Sequence, residues 1–252
     1  MPESGNNHVL ECKNISMNFG GLKVLSEVNI ALVQGERRVI LGPNGAGKTT
    51  LFNVICGELR PYQGTIEINC DDVTKKPSYT RINHGFARTF QVTNLFFELT
   101  AAENIYISIY GSQHKKLWSL KSVSSDKEVQ SRAVELLEQF SIGFLKNELV
   151  KNISYGDQRL LEIVLGLSSN PKILALDEPS SGLSVAESQK LVRVLNSLDK
   201  SLTILFIEHD MDVAFEVAET VTVLHRGKVI EEGPMDEVKH SSVVRDVYMG
   251  VM

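Results

Sequence analysis

Hydrophobic residues recur at two different spacings along the chain, and the spacing outlines its organisation. Near the N-terminus apolar and polar positions alternate, as at Ile15, Met17 and Phe19 in NISMNF, which predicts half-buried strands. The segment RRVIL predicts a short buried strand. A glycine-rich turn follows it, and KTTLFNVIC then predicts a helix that ends at Gly57.

The second half of the chain repeats the strand-then-helix order. Between about 94 and 154 the pattern becomes helical with polar loops, and Thr100 with Glu103 predicts a capping box that opens one helix. Short apolar strands such as KILALD and LTILFIEHD then alternate with helices. The segment TVTVLHRGKVIEEG predicts a hairpin that turns at Arg226 and Gly227. We therefore expect an α/β fold, a parallel sheet with right-handed crossovers, and a helical insertion.

Composition narrows the classes of protein that this pattern allows. The chain has 252 residues, 42% of them hydrophobic, and a net charge of −5, which argues against a bulk electrostatic grip on nucleic acid. No run of roughly 18 apolar residues and no basic, apolar leader is visible, so we expect any link to a membrane to go through a partner. Cys12, Cys56 and Cys70 are expected to be reduced packing residues of a cytoplasmic protein.

The glycine-rich turn GPNGAGKT fits the phosphate-binding pattern G-x-x-x-x-G-K-[ST], with a strand before it and a helix after it. Its glycines let backbone N–H groups point inward, Lys48 should reach the β- and γ-phosphates, and Thr49 should help to hold Mg²⁺. The alternative is an ordinary glycine-rich turn. The residues of this loop that we predict to contact a nucleotide are Gly42, Pro43, Asn44, Gly45, Ala46, Gly47, Lys48, Thr49 and Thr50.

Such a loop leaves kinases, GTPases and ATPases open, and two later strands narrow the choice. The strand KILALD delivers Asp177 to the sheet edge, where Mg²⁺ needs a second contact, and Glu178 follows it as a candidate general base for a water molecule. His209 follows LTILFI at the same edge and is a candidate to orient the water or the γ-phosphate. Plain acidic turns and a structural histidine are the alternatives. The guanine-reading motif N-K-x-D is absent, which disfavours a GTPase.

Together these motifs resemble the ATP-binding subunit of an ABC transporter over nearly the whole chain. The resemblance implies a RecA-like P-loop NTPase core with a parallel sheet, an antiparallel β subdomain and an inserted α-helical subdomain within one domain, 1–252. The core and antiparallel part would span about 1–93 and 160–252, and the helical part about 94–159. ATP and Mg²⁺ are the implied ligands.

The resemblance also implies roles for residues outside the phosphate loop. Gln91 in ARTFQ corresponds to a residue that senses Mg²⁺ and hinges the helical part. Phe19, with Val24 beside it, corresponds to the position that packs an aromatic ring against adenine.

The segment ISYGDQR resembles the signature motif of the family. By this resemblance Ser154 and the amides around Gly156 grip the γ-phosphate bound to the opposite subunit, so that hydrolysis requires a head-to-tail pair enclosing two ATP molecules. Tyr155 and Asp157 depart from the usual L-S-G-G-Q motif. We expect Asp157 to favour the helix dipole but to oppose a nearby phosphate. Later in the chain, Ser184 should cap the next helix, with a glutamate completing the box.

Longer segments, HGFARTFQVTNLFFELTAAENI among them, are similar to the LivG type of subunit, from importers of branched-chain amino acids and related hydrophobic amino acids, amides or urea. This implies two transmembrane permeases, a second ATP-binding subunit of LivF type or a second copy, and an extracytoplasmic solute-binding protein. The location implied is the cytoplasmic face of the membrane. The stretch LFFEL would line a groove of this chain that receives a coupling helix of the permease. Alternatively, it would form a hydrophobic staple to the following helix.

Three alternative functions stay open at this point. The lipopolysaccharide-export ATPase is a close relative of the LivG type. A soluble ABC regulator or repair ATPase acting on nucleic acid or ribosomes would usually carry two cassettes or a long coiled coil. A P-loop small-molecule kinase would need a lid and an acceptor site, and neither is visible in the sequence.

Overall fold

Two sheets carry the strands, and helices flank the larger sheet. The computed structural model describes residues 8–89, 95–112 and 126–248. Its strands are β1 His8–Phe19, β2 Leu22–Val33, β3 Arg37–Leu41, β4 Gln63–Ile68, β5 Asp71–Asp72, β6 Phe86–Arg88, β7 Ile173–Asp177, β8 Thr203–Ile207, β9 Thr220–His225 and β10 Lys228–Pro234. Its helices are α1 Lys48–Cys56, α2 Ala101–Ser112, α3 Lys127–Gln139, α4 Tyr155–Leu167, α5 Val185–Ser197, α6 Met211–Val217, α7 Met235–Val238 and α8 Ser242–Tyr248.

The larger sheet has the order β10-β9-β3-β8-β7-β6, and its neighbours are parallel except for the edge strand β10. The smaller sheet, β2-β1-β4-β5, is antiparallel. The predicted α/β class is confirmed. The hairpin between β9 and β10 turns where the sequence predicts, because Arg226 and Gly227 both have positive φ angles of 46° and 77°.

The central strands are buried on both faces, which explains why β7 and β8 are largely apolar without alternation. Strand β3 is equally buried but begins with Arg37 and Arg38, whose side chains pair with Asn196 and Glu36. In β7, Ile173 and Ala175 face a core shared with α1 and the antiparallel sheet. Leu174 and Leu176 face the second core, which α2 to α8 build on the other side. The sheet is therefore held between two layers, and its carboxyl edge is left to carry loops.

The helical region begins with the predicted capping box. The Thr100 N–H donates to Glu103 Oε2 at 2.8 Å, and the Glu103 N–H donates to Thr100 Oγ1 at 3.2 Å. Helix α4 runs across the predicted subdomain boundary at residue 159, so one continuous helix joins the helical region to the core. Among the helices described, none is long and apolar enough to cross a membrane.

The three cysteines are free, and they differ in their surroundings. Cys12 and Cys56 are buried as predicted, and burial raises the pKa of each thiol to about 12. Cys70 is exposed, so its prediction as a packing residue is wrong. It lies in the tight turn between β4 and β5, where its φ is 67°.

Gly227 joins the β9–β10 turn to the glycine-rich loop, and its substitution tests that junction. Its N–H donates to the Ala46 carbonyl at 2.9 Å, and an added Cβ would collide with the Val24 carbonyl. We expect Gly227→Ala to lower the free energy of unfolding by roughly 2–4 kcal/mol, through left-handed strain and the backbone clash. The measurement is urea unfolding at constant m-value.

Gly20→Ala is the matched control, because Gly20 also has a positive φ, 58°, but a Cβ there would meet open space. Backbone strain alone should cost about 1 kcal/mol. Equal losses for the two variants would contradict the proposed close approach at Gly227.

Candidate nucleotide site

Parallel strands bring the predicted site residues to one edge of the larger sheet. Strands β3, β7 and β8 run in the same direction, with Ile40 and Asp177 both in register with Ile207. Their carboxyl ends therefore lie side by side, and loops leave the sheet there. The phosphate-binding loop follows β3, Glu178 follows β7 and His209 comes two residues after β8.

The loop between β3 and α1 depends on its glycines. Gly42, Gly45 and Gly47 have φ angles of 150°, 78° and 103°. A Cβ on Gly42 would collide with the Leu224 carbonyl of β9. The glycines thus let the backbone turn tightly against the sheet and leave the start of α1 directed at the loop.

Lys48 is the first residue of α1, and its ammonium group folds back into the loop. Its Nζ donates to the carbonyls of Gly42 at 2.7 Å and Pro43 at 3.2 Å, and only 5% of the residue is exposed. Burial lowers the pKa of Lys48, and the nearby Glu178 carboxylate opposes this shift. Among the described residues, the hydrogen-bond acceptors of this buried cation are the two neutral carbonyls, so it is well placed to meet a phosphate.

The other residues of the loop vary in exposure. Ala46 is buried, Pro43 and Thr50 are half-buried, and Asn44 and Thr49 are exposed. Thr49 and Thr50 lie in the first turn of α1, beside Lys48. This surface can therefore be reached by a nucleotide from solvent.

Asp177 ends β7 as a buried carboxylate that is 2% exposed. Neither oxygen accepts a hydrogen bond within the described residues, and the nearest cation is Arg88, whose Nη2 is 3.9 Å from Oδ2. Burial raises the pKa of Asp177, and Arg88 opposes that shift. Two orphaned carboxylate oxygens beside a phosphate loop fit a Mg²⁺ ligand.

A cluster of three or more His, Cys, Asp or Glu ligands is absent from the part of the chain that the structure describes.

Glu178 and His209 form a direct pair across the sheet edge. His209 Nε2 lies 2.7 Å from Glu178 Oε1, and about half of the His209 side chain is exposed. Glu178 has a φ of 47°, which is unfavourable for a residue with a side chain, and its N–H donates to the Ile207 carbonyl at 3.1 Å. Such strain concentrates at functional sites, and here it sends the carboxylate toward β8.

Glu208 is a structural member of the site to which the sequence analysis assigned no role. It is 2% exposed, and burial raises its pKa. Its Oε1 accepts the Ser180 N–H at 2.9 Å and its Oε2 accepts the His209 N–H at 3.0 Å. Glu208 therefore ties the loop after Glu178 to the start of α6 and fixes the pair. The sequence signal for Glu208 was its position in IEHD, between the end of a buried strand and His209.

Phe19 and Val24, the two residues predicted to contact adenine, lie in the described part of the chain. Phe19, at the end of β1, is 47% exposed, which leaves its ring accessible to a ligand. Val24 is half-buried, and its carbonyl lies close to Gly47 of the loop. Gln91 falls outside the described residues.

The signature segment forms the first turn of α4. Ser154 is the exposed N-cap, and its Oγ accepts the Asp157 N–H at 3.1 Å. Lys190 of α5 lies 2.8 Å from Asp157 Oδ1, so the charge that we expected to oppose a phosphate has a cation beside it. The hydroxyl of Tyr155 donates to the Ser181 carbonyl at 3.3 Å. Its ring therefore lies along the loop before α5.

Ser184 caps α5 through the predicted capping box. Its Oγ accepts the Glu187 N–H at 3.4 Å, and its own N–H donates to Glu187 Oε2 at 2.9 Å. The helix that follows the Glu178 loop thus starts at a defined residue, directly beside the signature turn.

Comparisons with known proteins identify the family of the chain. The family model described as ABC transporter matches residues 25–181. The high-affinity branched-chain amino acid transport ATP-binding protein LivG of Escherichia coli is 34% identical over 249 residues, covering 96% of this chain and 98% of that protein. The lipopolysaccharide export system ATP-binding protein LptB of Haemophilus influenzae is 30% identical, covering 96% and 97%.

A solved structure has the same fold. The ADP conformation of an ATP-binding cassette of an ABC transporter superposes with a TM-score of 0.84 and 30% identity, covering 96% of this chain and 99% of that one. The similarity extends from β1 through the helical region to the C-terminal strands. With the phosphate loop, the Asp177 carboxylate and the signature turn in these positions, the chain belongs to the ABC transporter family of ATP-binding cassettes.

Proposed function

We propose that the chain binds and hydrolyses ATP as a subunit of an importer for branched-chain amino acids or related solutes such as amides and urea. The observation that carries this proposal is the grouping of Lys48, Asp177, Glu178 and His209 at one sheet edge. The likeness to LivG over 96% of the chain supports the solute class.

The phosphate loop and Asp177 would share the work of holding the nucleotide. Lys48 would exchange its carbonyl contacts for the β- and γ-phosphates, and the exposed Phe19 ring, with Val24 beside it, would stack on the adenine. Asp177 and Thr49, with Gln91, would ligate Mg²⁺. When bound, the metal neutralises negative charge on the phosphate oxygens.

Glu178 and His209 would supply the proton chemistry. The Glu178 carboxylate would accept a proton from the attacking water, and the His209 ring, 2.7 Å away, would hold that carboxylate in place. The left-handed backbone at Glu178 and the buried Glu208 below His209 support a pre-organised pair.

The site on one chain is only half of the site that we propose. Ser154 is exposed at the start of α4, and its hydrogen bonds go to Asp157 of its own helix. We propose that this turn completes the site of a second subunit, either a LivF-like chain or a second copy, in a head-to-tail pair. The exposed N-terminal turn of a long helix suits a phosphate carried by another chain.

A groove beside the helical region is the proposed permease contact. Its volume is about 480 Å³, and exposed apolar side chains at its mouth include Tyr79, Ile82 and Phe96. Phe96 is held there because its N–H donates to Asn104 Oδ1 at 2.8 Å. Asn104 is the fourth residue of α2, the position that a hydrophobic staple would need, and it is polar. The LFFEL stretch thus favours the permease interpretation.

The likeness to LivG supports the remaining partners. We propose two transmembrane permease subunits, which would hold the chain at the cytoplasmic face of the membrane, and an extracytoplasmic solute-binding protein. The likeness to LptB keeps lipopolysaccharide export as a second candidate. Uptake of labelled leucine separates the two functions, because an export ATPase would leave it unchanged.

Lys48→Ala should weaken ATP binding by roughly 10- to 100-fold, because a charge-assisted contact to phosphate is lost. Calorimetric titration with ATP and Mg²⁺ measures the change. Lys200→Ala, at an exposed lysine just before β8 at the opposite sheet edge, is the control and should bind as the parent does. Equal affinities of all three proteins would contradict the placement of the triphosphate.

Glu178→Gln should reduce the rate of ATP hydrolysis by roughly 10²- to 10⁴-fold while ATP binding persists, because the proton acceptor is removed. We also expect the variant to accumulate as an ATP-bound pair, visible by light scattering after gel filtration. Glu216→Gln, on the exposed face of α6, is the control. Turnover of Glu178→Gln near the parental rate would refute the role of this carboxylate as the base.

Phe96→Glu should reduce leucine uptake and co-purification of the permease by roughly tenfold or more, because a charge is placed in an apolar contact. ATP affinity should not change. Phe215→Glu is the matched control, since Phe215 of α6 is 41% exposed and lies outside the groove. The docking proposal fails if both variants transport alike.

A further inference from the structure

The first turn of α4 already holds a carboxylate, and it belongs to α5. Ser154 and Tyr155 are exposed, but Gly156 between Tyr155 and Asp157 is buried. What covers it is Glu187, because a Cβ added to Gly156 would collide with the Oε1, Cδ and Cγ atoms of that side chain. A negative charge from the same chain therefore lies against the backbone of the signature glycine.

The two oxygens of Glu187 have separate partners. Oε2 accepts the Ser184 N–H at 2.9 Å and the Ser184 hydroxyl at 2.6 Å, which completes the capping box of α5. Oε1 is the oxygen nearest to Gly156. Hydrogen bonds from the Ser184 hydroxyl and N–H, and then one from the Gly156 N–H, lower the pKa of Glu187 and favour its ionised form. The carboxylate thus bridges the starts of two helices.

Neighbouring contacts hold this bridge in register. Tyr155 donates to the Ser181 carbonyl at 3.3 Å, and its ring lies against Gly182. On the other side, Lys190 pairs with Asp157 at 2.8 Å. The signature turn and the start of α5 are therefore joined at three successive residues of α4, with the Glu187 carboxylate in the middle.

We propose that Glu187 is a specificity-determining residue that occupies the Gly156 amide until the γ-phosphate of ATP on a partner subunit displaces it. The proposal rests on the proposed function, in which Ser154 and Gly156 face that phosphate. The Gly156 N–H is a single donor, and two anions placed at one donor repel each other, so pairing requires exchange of the internal carboxylate for the external phosphate.

This exchange favours ATP over ADP. The terminal phosphate carries more negative charge than a carboxylate and three acceptor oxygens, so it can compete for the amide at the positive end of α4. An ADP-bound partner offers no γ-phosphate, and Glu187 then keeps its place. Glu187 therefore makes pairing of the two subunits more dependent on the γ-phosphate.

Glu187→Gln is the informative variant, because glutamine also completes a capping box but carries no charge. It is made in the Glu178→Gln background, alone and with the second ATP-binding subunit of the transporter. The matched control is Glu103→Gln, which removes the same charge from the capping box of α2. Sedimentation velocity measures the ATP and ADP concentrations that give half-maximal pairing.

We expect Glu187→Gln to lower the ATP concentration for half-maximal pairing by roughly tenfold, and to allow pairing at lower ADP concentrations, because the competing charge is gone. The Glu103→Gln protein should match the parent. An unchanged or raised midpoint in Glu187→Gln, with the control at the parental value, would overturn the proposal.

Amide exchange in the unpaired chain provides an independent readout. With ¹⁵N-glycine labelling and no nucleotide, the Gly156 N–H should exchange several-fold faster in Glu187→Gln than in the parent or in Glu103→Gln, since its acceptor is weakened. Absence of ATP-driven pairing in the parent, with either partner, would refute the proposed function. Unchanged Gly156 exchange would refute the role of Glu187 separately.

Discussion

The parallel pairing of β3, β7 and β8 is the constraint on which the site depends. Their register places the end of β7 beside the end of β8 and leaves Asp177 buried without a hydrogen-bond donor of its own. An ionised carboxylate in that position is costly unless a cation comes to it. Among the described residues, the Asp177 carboxylate thus accepts no hydrogen bond, and its nearest cation is Arg88 at 3.9 Å. A nucleotide that brings its metal ion to this edge would stabilise the ionised carboxylate.

Three carboxylates at the ends of β7 and β8 have different surroundings: Asp177 and Glu208 are buried, and Glu178 is partly exposed. Asp177 is left without internal donors, Glu208 is satisfied by backbone amides and Glu178 faces His209. Burial raises the pKa of both Asp177 and Glu208, but only Glu208 recovers hydrogen bonds from the protein. The contrast separates a ligand-binding carboxylate from a structural one, although both end adjacent strands of the same sheet.

Much of the fold and of the nucleotide site could be predicted from the sequence. Strand ends, glycine turns and caps are local features, so the loop at Gly42–Thr49, the turn at Arg226 and the boxes at Thr100 and Ser184 were found. Contacts between distant segments leave no local trace. The Lys190 contact that balances Asp157 joins residues 33 positions apart, and no period in the sequence predicts it. Cys70 is exposed because it lies in the turn between β4 and β5, and β5 has only two residues, too few for a pattern that would locate this turn.

A helix start can be both a structural cap and a phosphate grip only if its donors are exchangeable. In α4 the Ser154 hydroxyl satisfies the amide of Asp157, and the Glu187 carboxylate covers Gly156. Because the Ser154 hydroxyl and the Glu187 carboxylate already occupy this turn, it costs the isolated chain little, and an external phosphate gains only the difference between its own contacts and theirs. A small difference of this kind is suited to a pair that must open again after each hydrolysis, since a bare helix terminus would hold the phosphate more strongly.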